Sequence, residues 1–191
     1  MLFYLKGGFP ELMNKKELRE KTLSLLNQMD KKEHKRRSIA LSNQLFKKKE
    51  WQEAAVIGVT MSRFPEVDTA FIIEKAFMDQ KIVAIPETIY PERSMQFRQY
   101  KEGDLLAKKK LGLKEPKEDA KLIPKDEIDL LIVPGVVYND SGYRIGFGGG
   151  FYDRYLETYP NKTISLCFNE QLSNHLEHEK HDIPVDKILV D

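Results

Sequence analysis

The residues best suited to chemistry lie in a glycine-rich segment late in this 191-residue chain. Five of the 11 glycines fall between Gly142 and Gly150. Glycine tolerates positive φ angles and lets backbone N–H groups approach an anion closely. An apolar run at residues 128–133, typical of a buried strand, precedes the segment, and residues 151–159, typical of a helix, follow it. Because a helix start adds free N–H donors and a positive dipole end, this order predicts a phosphate-binding loop.

Two common phosphate-binding motifs do not fit the loop. A Walker A loop would need Gly-Lys-Ser/Thr after the glycines, and none follows. The pattern Gly146-x-Gly148-x-x-Phe151 lacks the third glycine of the dinucleotide fingerprint, and Asn169 and Glu170 match its ribose-binding acid only loosely. An ordinary glycine-rich turn remains a possible alternative to a phosphate site.

Two charged residues argue against a simple turn. Arg144 stands at the start of the loop and supplies a cation for phosphate. Asp153 falls in the first turn of the predicted helix. An acid in that position either caps the helix or holds Mg²⁺ beside bound phosphates, and the residue pattern alone leaves both roles open.

The elements that must position these residues follow an alternating order. Asn14 and Glu17 form a capping-box pattern ahead of a first helix, and Asp30 precedes a second helix that extends to about Lys48. Residues 103–125 are rich in lysine and are expected to form a surface loop. Strands are predicted at residues 54–61, 82–85, 95–100, 128–133 and 163–168, and helices at residues 69–79 and 151–159. This order predicts an α/β fold, a three-layer α/β/α sandwich with a mainly parallel central sheet.

The composition excludes several classes of protein. The 31 basic and 30 acidic residues give a net charge of +1, which favours no nucleic-acid partner. No apolar run approaches the length of a membrane span, so we expect no membrane partner. The single cysteine, Cys167, cannot form a disulfide within the chain and is expected to be a buried thiol. Residues 1–10 make a poor signal peptide, so we expect a cytoplasmic enzyme.

Length and pattern also predict the domain organisation. We expect residues 1–13 to form a disordered extension and residues 14–191 to form one domain. A possible metal cluster is suggested by His175, His178 and His181. On a helix, however, their spacing would point the three rings in different directions, so we interpret them as surface residues. The lysine and arginine clusters are likewise interpreted as solvated faces.

The glycine-rich segment resembles the signature of the 5-formyltetrahydrofolate cyclo-ligase family, also called 5,10-methenyltetrahydrofolate synthetases. The matching residues are Pro134-Gly135 and Asp140-x-Gly142-x-Arg144-Ile145-Gly146-x-Gly148-x-Gly150-Phe151-Tyr152-Asp153. Three other segments resemble, in order, the family's N-terminal ATP contact, its folate contact and its acidic C-terminal motif. These segments are Lys15-Lys16-Glu17-Leu18-Arg19, Ser62-x-x-x-Glu66-Val67-Asp68-Thr69 and His181-Asp182-x-x-Val185-Asp186. Some relatives carry basic residues where this chain has Phe147 and Gly149.

The resemblance implies a reaction. It is the ATP- and Mg²⁺-dependent conversion of 5-formyltetrahydrofolate to 5,10-methenyltetrahydrofolate, ADP and phosphate through a phosphorylated formyl intermediate. No covalent nucleophile is needed, and Arg144 and Tyr152 are the candidate stabilisers. The folate could carry a polyglutamate tail that attracts a few of the lysines.

The resemblance also implies a set of binding residues. ATP would contact Lys15, Lys16, Arg19, Arg144, Ile145, Gly146, Phe147, Gly148, Gly149, Gly150, Phe151 and Tyr152. The folate would contact Met61, Glu66, Phe147, Gly148, Gly149, Gly150 and Phe151. Asp153 and Asp182 would hold Mg²⁺. Two alternatives remain, namely a binding protein that has the fold without the activity, and a sugar-phosphate isomerase or acyl transferase on a similar sheet.

Overall fold

The computed structural model of the protein describes residues 13–108 and 114–191. The expected N-terminal extension therefore lies outside the described residues, apart from Met13. That residue is partly buried and packs against the cluster formed by Leu18, Val136 and Ile145. Met13 thus belongs to the folded part of the chain.

The first two helices begin where the sequence offers side-chain caps. The Oδ1 atom of Asn14 accepts the N–H of Glu17 at 3.0 Å, and Oε2 of Glu17 accepts the N–H of Asn14 at 2.9 Å. The predicted capping box is therefore confirmed. Asp30 caps the second helix in the same way, accepting the N–H of Lys32 at 2.9 Å. The described helices are α1 (Lys15–Asn27), α2 (Lys31–Phe46), α3 (Lys49–Glu53), α4 (Ala70–Met78) and α5 (Phe151–Leu156).

The strands of the described chain form one main sheet and two small ribbons. They are β1 (Val56–Gly58), β2 (Ile82–Ile89), β3 (Ser94–Tyr100), β4 (Ala107–Lys108), β5 (Lys114–Glu115), β6 (Leu122–Ile123), β7 (Leu130–Ile132), β8 (Val137–Tyr138), β9 (Arg144–Ile145), β10 (Lys162–Cys167) and β11 (Lys187–Val190). The main sheet has the order β11-β10-β7-β1-β2-β3-β6. Its first five strands are parallel, and β3 pairs in the antiparallel direction with both β2 and β6. The mainly parallel sheet is as predicted.

Successive side chains of the sheet pack into two apolar layers, one on each face. Leu130 and Ile132 of β7 join the cluster that contains residues of α2, α3 and α4. Leu131 and Val133 face the opposite way, into the cluster that contains Tyr155 and Leu156 of α5. Full burial of one such side chain stabilises a fold by about 1.5–3 kcal/mol. Both faces of the sheet are thus covered, and the α/β/α prediction is confirmed.

Some elements differ from their predicted bounds. Residues 54–61 were predicted as one strand, but only Val56–Gly58 pairs, so residues 59–69 form a long loop. The helix predicted to reach residue 159 ends at Leu156, and the second helix ends at Phe46. The described part of the expected surface loop at 103–125 contains short strands, and Leu122–Ile123 pairs with β3 at the sheet edge. Strands of two residues are too short to show an alternating pattern.

The helices of the described ranges are short relative to the hydrocarbon core of a bilayer. None of them is both long enough and apolar enough to cross one. The longest, α2, has 16 residues and carries charges along much of its length.

Candidate functional site

A cavity of about 420 Å³ opens at the edge of the sheet where the parallel strands end. Its wall combines the start of α1, the loop after β1, the end of β2, the glycine loop and the C-terminal segment before β11. Among the predicted site residues, all but one line this cavity. They are Lys15, Arg19, Met61, Glu66, Arg144, Ile145, Gly146, Phe147, Gly148, Gly149, Gly150, Phe151, Tyr152, Asp153 and Asp182. Segments far apart in sequence therefore meet at one site.

Lys16 is the predicted site residue that lies outside the cavity. Its side chain is 77% exposed, and its ammonium lies 3.9 Å from the Glu20 carboxylate, one turn further along α1. Lys15 and Arg19 lie one helical turn apart and share the face that points into the cavity. The helical period therefore separates Lys16 from its two basic neighbours.

The glycine loop needs glycine for two different reasons. Gly148 and Gly150 have φ angles of +94° and +67°, which strain any residue with a side chain. At Gly149, whose φ is not positive, a Cβ atom would lie 2.6 Å from the ring of Phe151. The loop therefore holds a conformation that other residues would disturb.

Arginine side chains engage the carbonyl groups of this loop. The Nε–H of Arg19 donates to the carbonyl of Gly146 at 2.7 Å. Arg154 donates to the carbonyls of Gly149 and Gly150 at 3.2 and 2.9 Å. None of the N–H groups of residues 146–150 donates to another described residue. These unpaired N–H donors, beside the Arg19 guanidinium, suit an anion.

Lys15 joins the first helix to the C-terminal segment. Its ammonium lies 2.6 Å from Asp182 and 3.1 Å from Glu179. Partial burial alone would lower the pKa of Lys15, but the hydrogen bonds to these carboxylates raise it above its ordinary value. Burial alone would raise the pKa of Asp182, but the backbone N–H of Glu179 and the Lys15 ammonium lower it. The pair therefore stays charged at neutral pH.

Arg144 and Asp153 form a second ion pair at the wall. The Arg144 side chain is only 3% exposed, and it donates to Asp153 at 3.0 Å and to the carbonyl of Ile183 at 2.6 Å. The N–H of Ile183 also donates to Asp153, at 3.3 Å. The N-cap of α5 is Gly150, which has no side-chain cap. Asp153 therefore links three segments rather than capping its helix.

Each of the two predicted metal ligands keeps one carboxylate oxygen available. Oδ1 of Asp153 takes both of its bonds from described residues, and Oδ2 takes none. Oδ2 of Asp182 accepts from Lys15 and Glu179, whereas Oδ1 has only the His181 ring nearby, at 3.8 Å. No group of three or more potential ligand residues occurs in the described ranges. Two free carboxylate oxygens suit a cation whose other ligands are water and phosphate oxygens.

The loop after β1 supplies Glu66 and Met61 to the cavity. Burial raises the pKa of the Glu66 carboxyl above its ordinary value, although the N–H of Arg63 donates to it at 2.8 Å and partly offsets this. A partly buried carboxylate gains from any ligand that donates hydrogen bonds to it. The site thus offers a specific acceptor for a polar heterocycle.

Aromatic residues form the remainder of this wall. The ring of Phe151 lies 5.2 Å from that of Tyr90, and the Phe147 side chain is 56% exposed. The Tyr152 hydroxyl is buried and has no hydrogen-bond partner among the described residues. Burial strongly raises the pKa of Tyr152, so its hydroxyl remains protonated.

Other parts of the wall were not predicted. Glu115 is 2% exposed and accepts hydrogen bonds from the hydroxyl and the N–H of Thr88. Lys114, Thr88 and Tyr90 line the cavity as well. Lys114 and Glu115 belong to a lysine-rich segment without an apolar pattern, so their location at the cavity could not be predicted.

The other reactive side chains behave as expected. His175, His178 and His181 are exposed, as predicted, although they lie in turns rather than on a helix. The His178 ring stacks on Tyr143 at 3.8 Å. Cys167 is fully buried, and burial raises the pKa of its thiol to about 12, so it is a poor nucleophile.

Solved structures of similar proteins share this fold. A 5,10-methenyltetrahydrofolate synthetase from Aquifex aeolicus has a TM-score of 0.81 and 25% identity, over 93% of this chain and 90% of that one. The synthetase from Mycoplasma pneumoniae has a TM-score of 0.74 and 21% identity, over 92% and 98% of the two chains.

Sequence comparisons point to the same family. The 5-formyltetrahydrofolate cyclo-ligase of Haemophilus influenzae is 31% identical over 147 residues, covering 74% of this chain and 78% of the relative. That of Escherichia coli K12 is 32% identical over 142 residues, covering 71% and 78%. A sequence profile of the family matches residues 11–191. The chain therefore belongs to the 5-formyltetrahydrofolate cyclo-ligase family.

Proposed function

We propose that this protein converts 5-formyltetrahydrofolate and ATP to 5,10-methenyltetrahydrofolate, ADP and phosphate. The observation that carries the proposal is the meeting of three segments at one cavity. A basic helix start, a glycine loop with unpaired N–H groups and a loop with a partly buried glutamate all line it. These features match the needs of a phosphorylated nucleotide and a polar heterocycle that react with each other.

The phosphates of ATP would lie against the glycine loop. The N–H groups of residues 146–150 supply donors, and the guanidinium of Arg19, which donates to the Gly146 carbonyl, would lie 3.7 Å from a Cβ atom at Gly148. Lys15 would add a second cation once phosphate competes with Asp182 for its ammonium. We propose that Arg144 braces the wall of the cavity and does not bind phosphate, because its buried guanidinium is already bound by Asp153 and Ile183.

The folate would occupy the part of the cavity lined by Met61, Glu66 and Phe151. The Glu66 carboxylate would accept hydrogen bonds from N–H groups at the edge of the pterin. Phe151 and the exposed ring of Phe147 would contact its apolar surfaces. Tyr152 would donate its unpaired hydroxyl to a ligand oxygen.

Mg²⁺ would be held by Asp153 and Asp182. The ion is commonly bound through one or two carboxylates together with substrate phosphates and water, and the free oxygens of these residues fit that pattern. When bound, it would neutralise charge on the phosphates. The ion pairs of Asp153 with Arg144 and of Asp182 with Lys15 orient the carboxylates beforehand.

The chemistry would proceed in two displacements. The formyl oxygen attacks the γ-phosphorus of ATP, a C–O–P linkage forms, and ADP leaves. The neighbouring amine nitrogen then attacks the activated carbon, loses its proton, and inorganic phosphate leaves with the former formyl oxygen. The protein contributes by alignment and charge stabilisation from Arg19 and the loop N–H groups, so no covalent nucleophile is required.

The test is consumption of ATP together with formation of the methenyl product, followed by its absorbance. We expect both to depend strictly on 5-formyltetrahydrofolate and on Mg²⁺. Folate binding without ATP consumption would instead identify a binding protein with the same fold. Turnover of sugar phosphates or acyl donors, with no methenyl product, would contradict the proposal.

A further inference from the structure

The loop that carries Glu66 is fixed from outside by helix α2. Within the loop, Ser62 and Thr69 exchange hydrogen bonds: the N–H of Ser62 donates to Thr69 Oγ1 at 3.1 Å, and the N–H of Thr69 donates to Ser62 Oγ at 2.9 Å. These contacts close the base of the loop. They do not reach the backbone of Glu66 itself, which is contacted by α2.

His34 provides this contact. Its Nε2 atom lies 2.8 Å from the carbonyl oxygen of Glu66. Because a carbonyl can only accept, Nε2 must carry the proton, and this fixes the tautomer of the imidazole. The ring is 7% exposed and packs edge-on against Phe64 at 5.0 Å and Phe168 at 5.2 Å. The donor is therefore rigidly held.

A second side chain of α2 reinforces the same segment. Ser38, one helical turn after His34, is 1% exposed, and its Oγ accepts the N–H of Asp68 at 3.1 Å. His34 and Ser38 thus hold one carbonyl and one N–H group, two residues apart, on either side of Val67. The backbone around Glu66 has little freedom to rotate its carboxylate away from the cavity.

We propose that His34 is a positioning residue for folate binding, which holds the Glu66 carboxylate toward the cavity through the Glu66 carbonyl. This rests on the proposed function, since the folate is the ligand that Glu66 would bind. His34 touches neither the glycine loop nor α1 among the described hydrogen bonds, so we expect ATP binding not to depend on it. The two ligands should therefore respond differently to its loss.

The test compares His34→Leu with His34→Gln in the full-length protein. Leucine fills the apolar space between the two phenylalanine rings without a donor, whereas the glutamine amide can reach the position of Nε2. For His34→Leu we expect the Kd of 5-formyltetrahydrofolate, measured by calorimetry without ATP, to rise about five- to tenfold. The Kd of MgATP should not change, and His34→Gln should recover most of the folate affinity.

A matched control separates positioning from stability. Leu45→Val alters the buried face of α2 at a point about 16 Å further along the helix axis, and should lower the Tm without changing either Kd. Parental folate affinity in a folded His34→Leu protein would overturn the inference alone. Equal losses for both ligands would also overturn it, because they indicate a general structural effect. A parent protein that binds no 5-formyltetrahydrofolate would overturn the proposed function as well.

Discussion

Arg19 and Lys16 lie three residues apart on α1 yet have different surroundings. Arg19 contacts the glycine loop, whereas Lys16 points into solvent beside Glu20. We predict that Arg19→Ala raises the ATP concentration needed for half-maximal turnover by about one to two decades, since a charge-assisted contact contributes roughly 1.5–3 kcal/mol. The KM for the folate should change little. Lys16→Ala is the control and should match the parent; steady-state kinetics with each substrate varied separately measures both.

Arg19→Ala with an unchanged ATP requirement would contradict the contact with phosphate. Because Arg19 also holds the Gly146 carbonyl, the Tm of each variant should be recorded. A fall in Tm with unchanged ATP kinetics would leave the arginine a purely structural role.

Glu66 gives a pH dependence with opposite signs for stability and binding. Burial raises the pKa of its carboxyl, so the folded state favours the protonated form. Its stabilising contribution is complete below the ordinary glutamate pKa of about 4.3 and is lost as the pH rises through the higher folded-state value. Folate binding, by contrast, needs the carboxylate and should strengthen over the same window.

We therefore predict that Glu66→Gln gains Tm relative to the parent as the pH rises through this window. The same variant should bind 5-formyltetrahydrofolate more weakly at neutral pH and lose the acidic limb of the parent's binding profile. Thermal unfolding and calorimetric titration at a series of pH values measure the two trends. A variant that retains the acidic limb would show that another group is responsible for it.

At the scale of elements, Arg144 braces β9 against α5 and the segment before β11. Removing one partner of a buried ion pair typically costs about 3–5 kcal/mol, because the remaining charge has no compensation. We predict a loss of this order for Arg144→Met in urea unfolding, since Arg144 is 3% exposed and also holds the Ile183 carbonyl. If Arg144 instead faced a ligand without bracing the fold, Arg144→Met would leave the free energy of unfolding unchanged.

Asp153→Asn removes the other partner of this ion pair. It should lower stability and also weaken the response of turnover to Mg²⁺. Arg144→Met retains the Asp153 carboxylate and should keep that response. The double variant should be more stable than the sum of the single losses predicts, because the two residues interact directly. A parental Mg²⁺ titration for a folded Asp153→Asn protein would restrict Asp153 to its bracing role.

The elements that could be predicted from sequence are those with long patterns or side-chain caps. Asn14 and Glu17 marked the start of α1, and the apolar run at residues 128–133 marked the strand ahead of the glycine loop. The ribbon of β8 and β9 has only two residues in each strand, too few for an alternating pattern. The strand Lys187–Val190 pairs with β10 at the sheet edge, and only one of its four residues is buried, so it shows no pattern typical of a buried strand.

The site could be predicted only where residue types are unusual. The glycine loop and its neighbouring charges gave a clear signal, and these residues do line one cavity. Glu115 and His34 gave none, since an isolated glutamate or histidine has no distinctive spacing. Their roles depend on contacts with Thr88 and Glu66, 27 and 32 residues away. Tertiary contacts of this length leave no local pattern in the sequence.

At the scale of the whole molecule, the predicted site residues gather at one edge of the sheet. Parallel strands end there together, so the loops after β1 and β7 are neighbours although more than 70 residues separate them. The contact of Lys15 with Asp182 spans 167 residues and brings both ends of the described chain to the same edge. The opposite end of β3 lines a separate cavity of about 320 Å³ that includes Tyr100 and Lys121.

This arrangement predicts distinct patterns of hydrogen exchange for the two ligands. MgATP alone should slow amide exchange at the start of α1 and in residues 146–153, because its phosphates would contact both. 5-Formyltetrahydrofolate alone should slow exchange in residues 60–69. The segment 99–106, which lines the second cavity, is the internal control and should respond to neither ligand. Mass spectrometry of peptic fragments resolves these segments.

Protection of residues 60–69 by MgATP, with no effect on α1, would reverse the assignment of the two halves of the cavity. Deleting residues 1–12 should leave all of these patterns unchanged, because the predicted ATP contacts begin at Lys15.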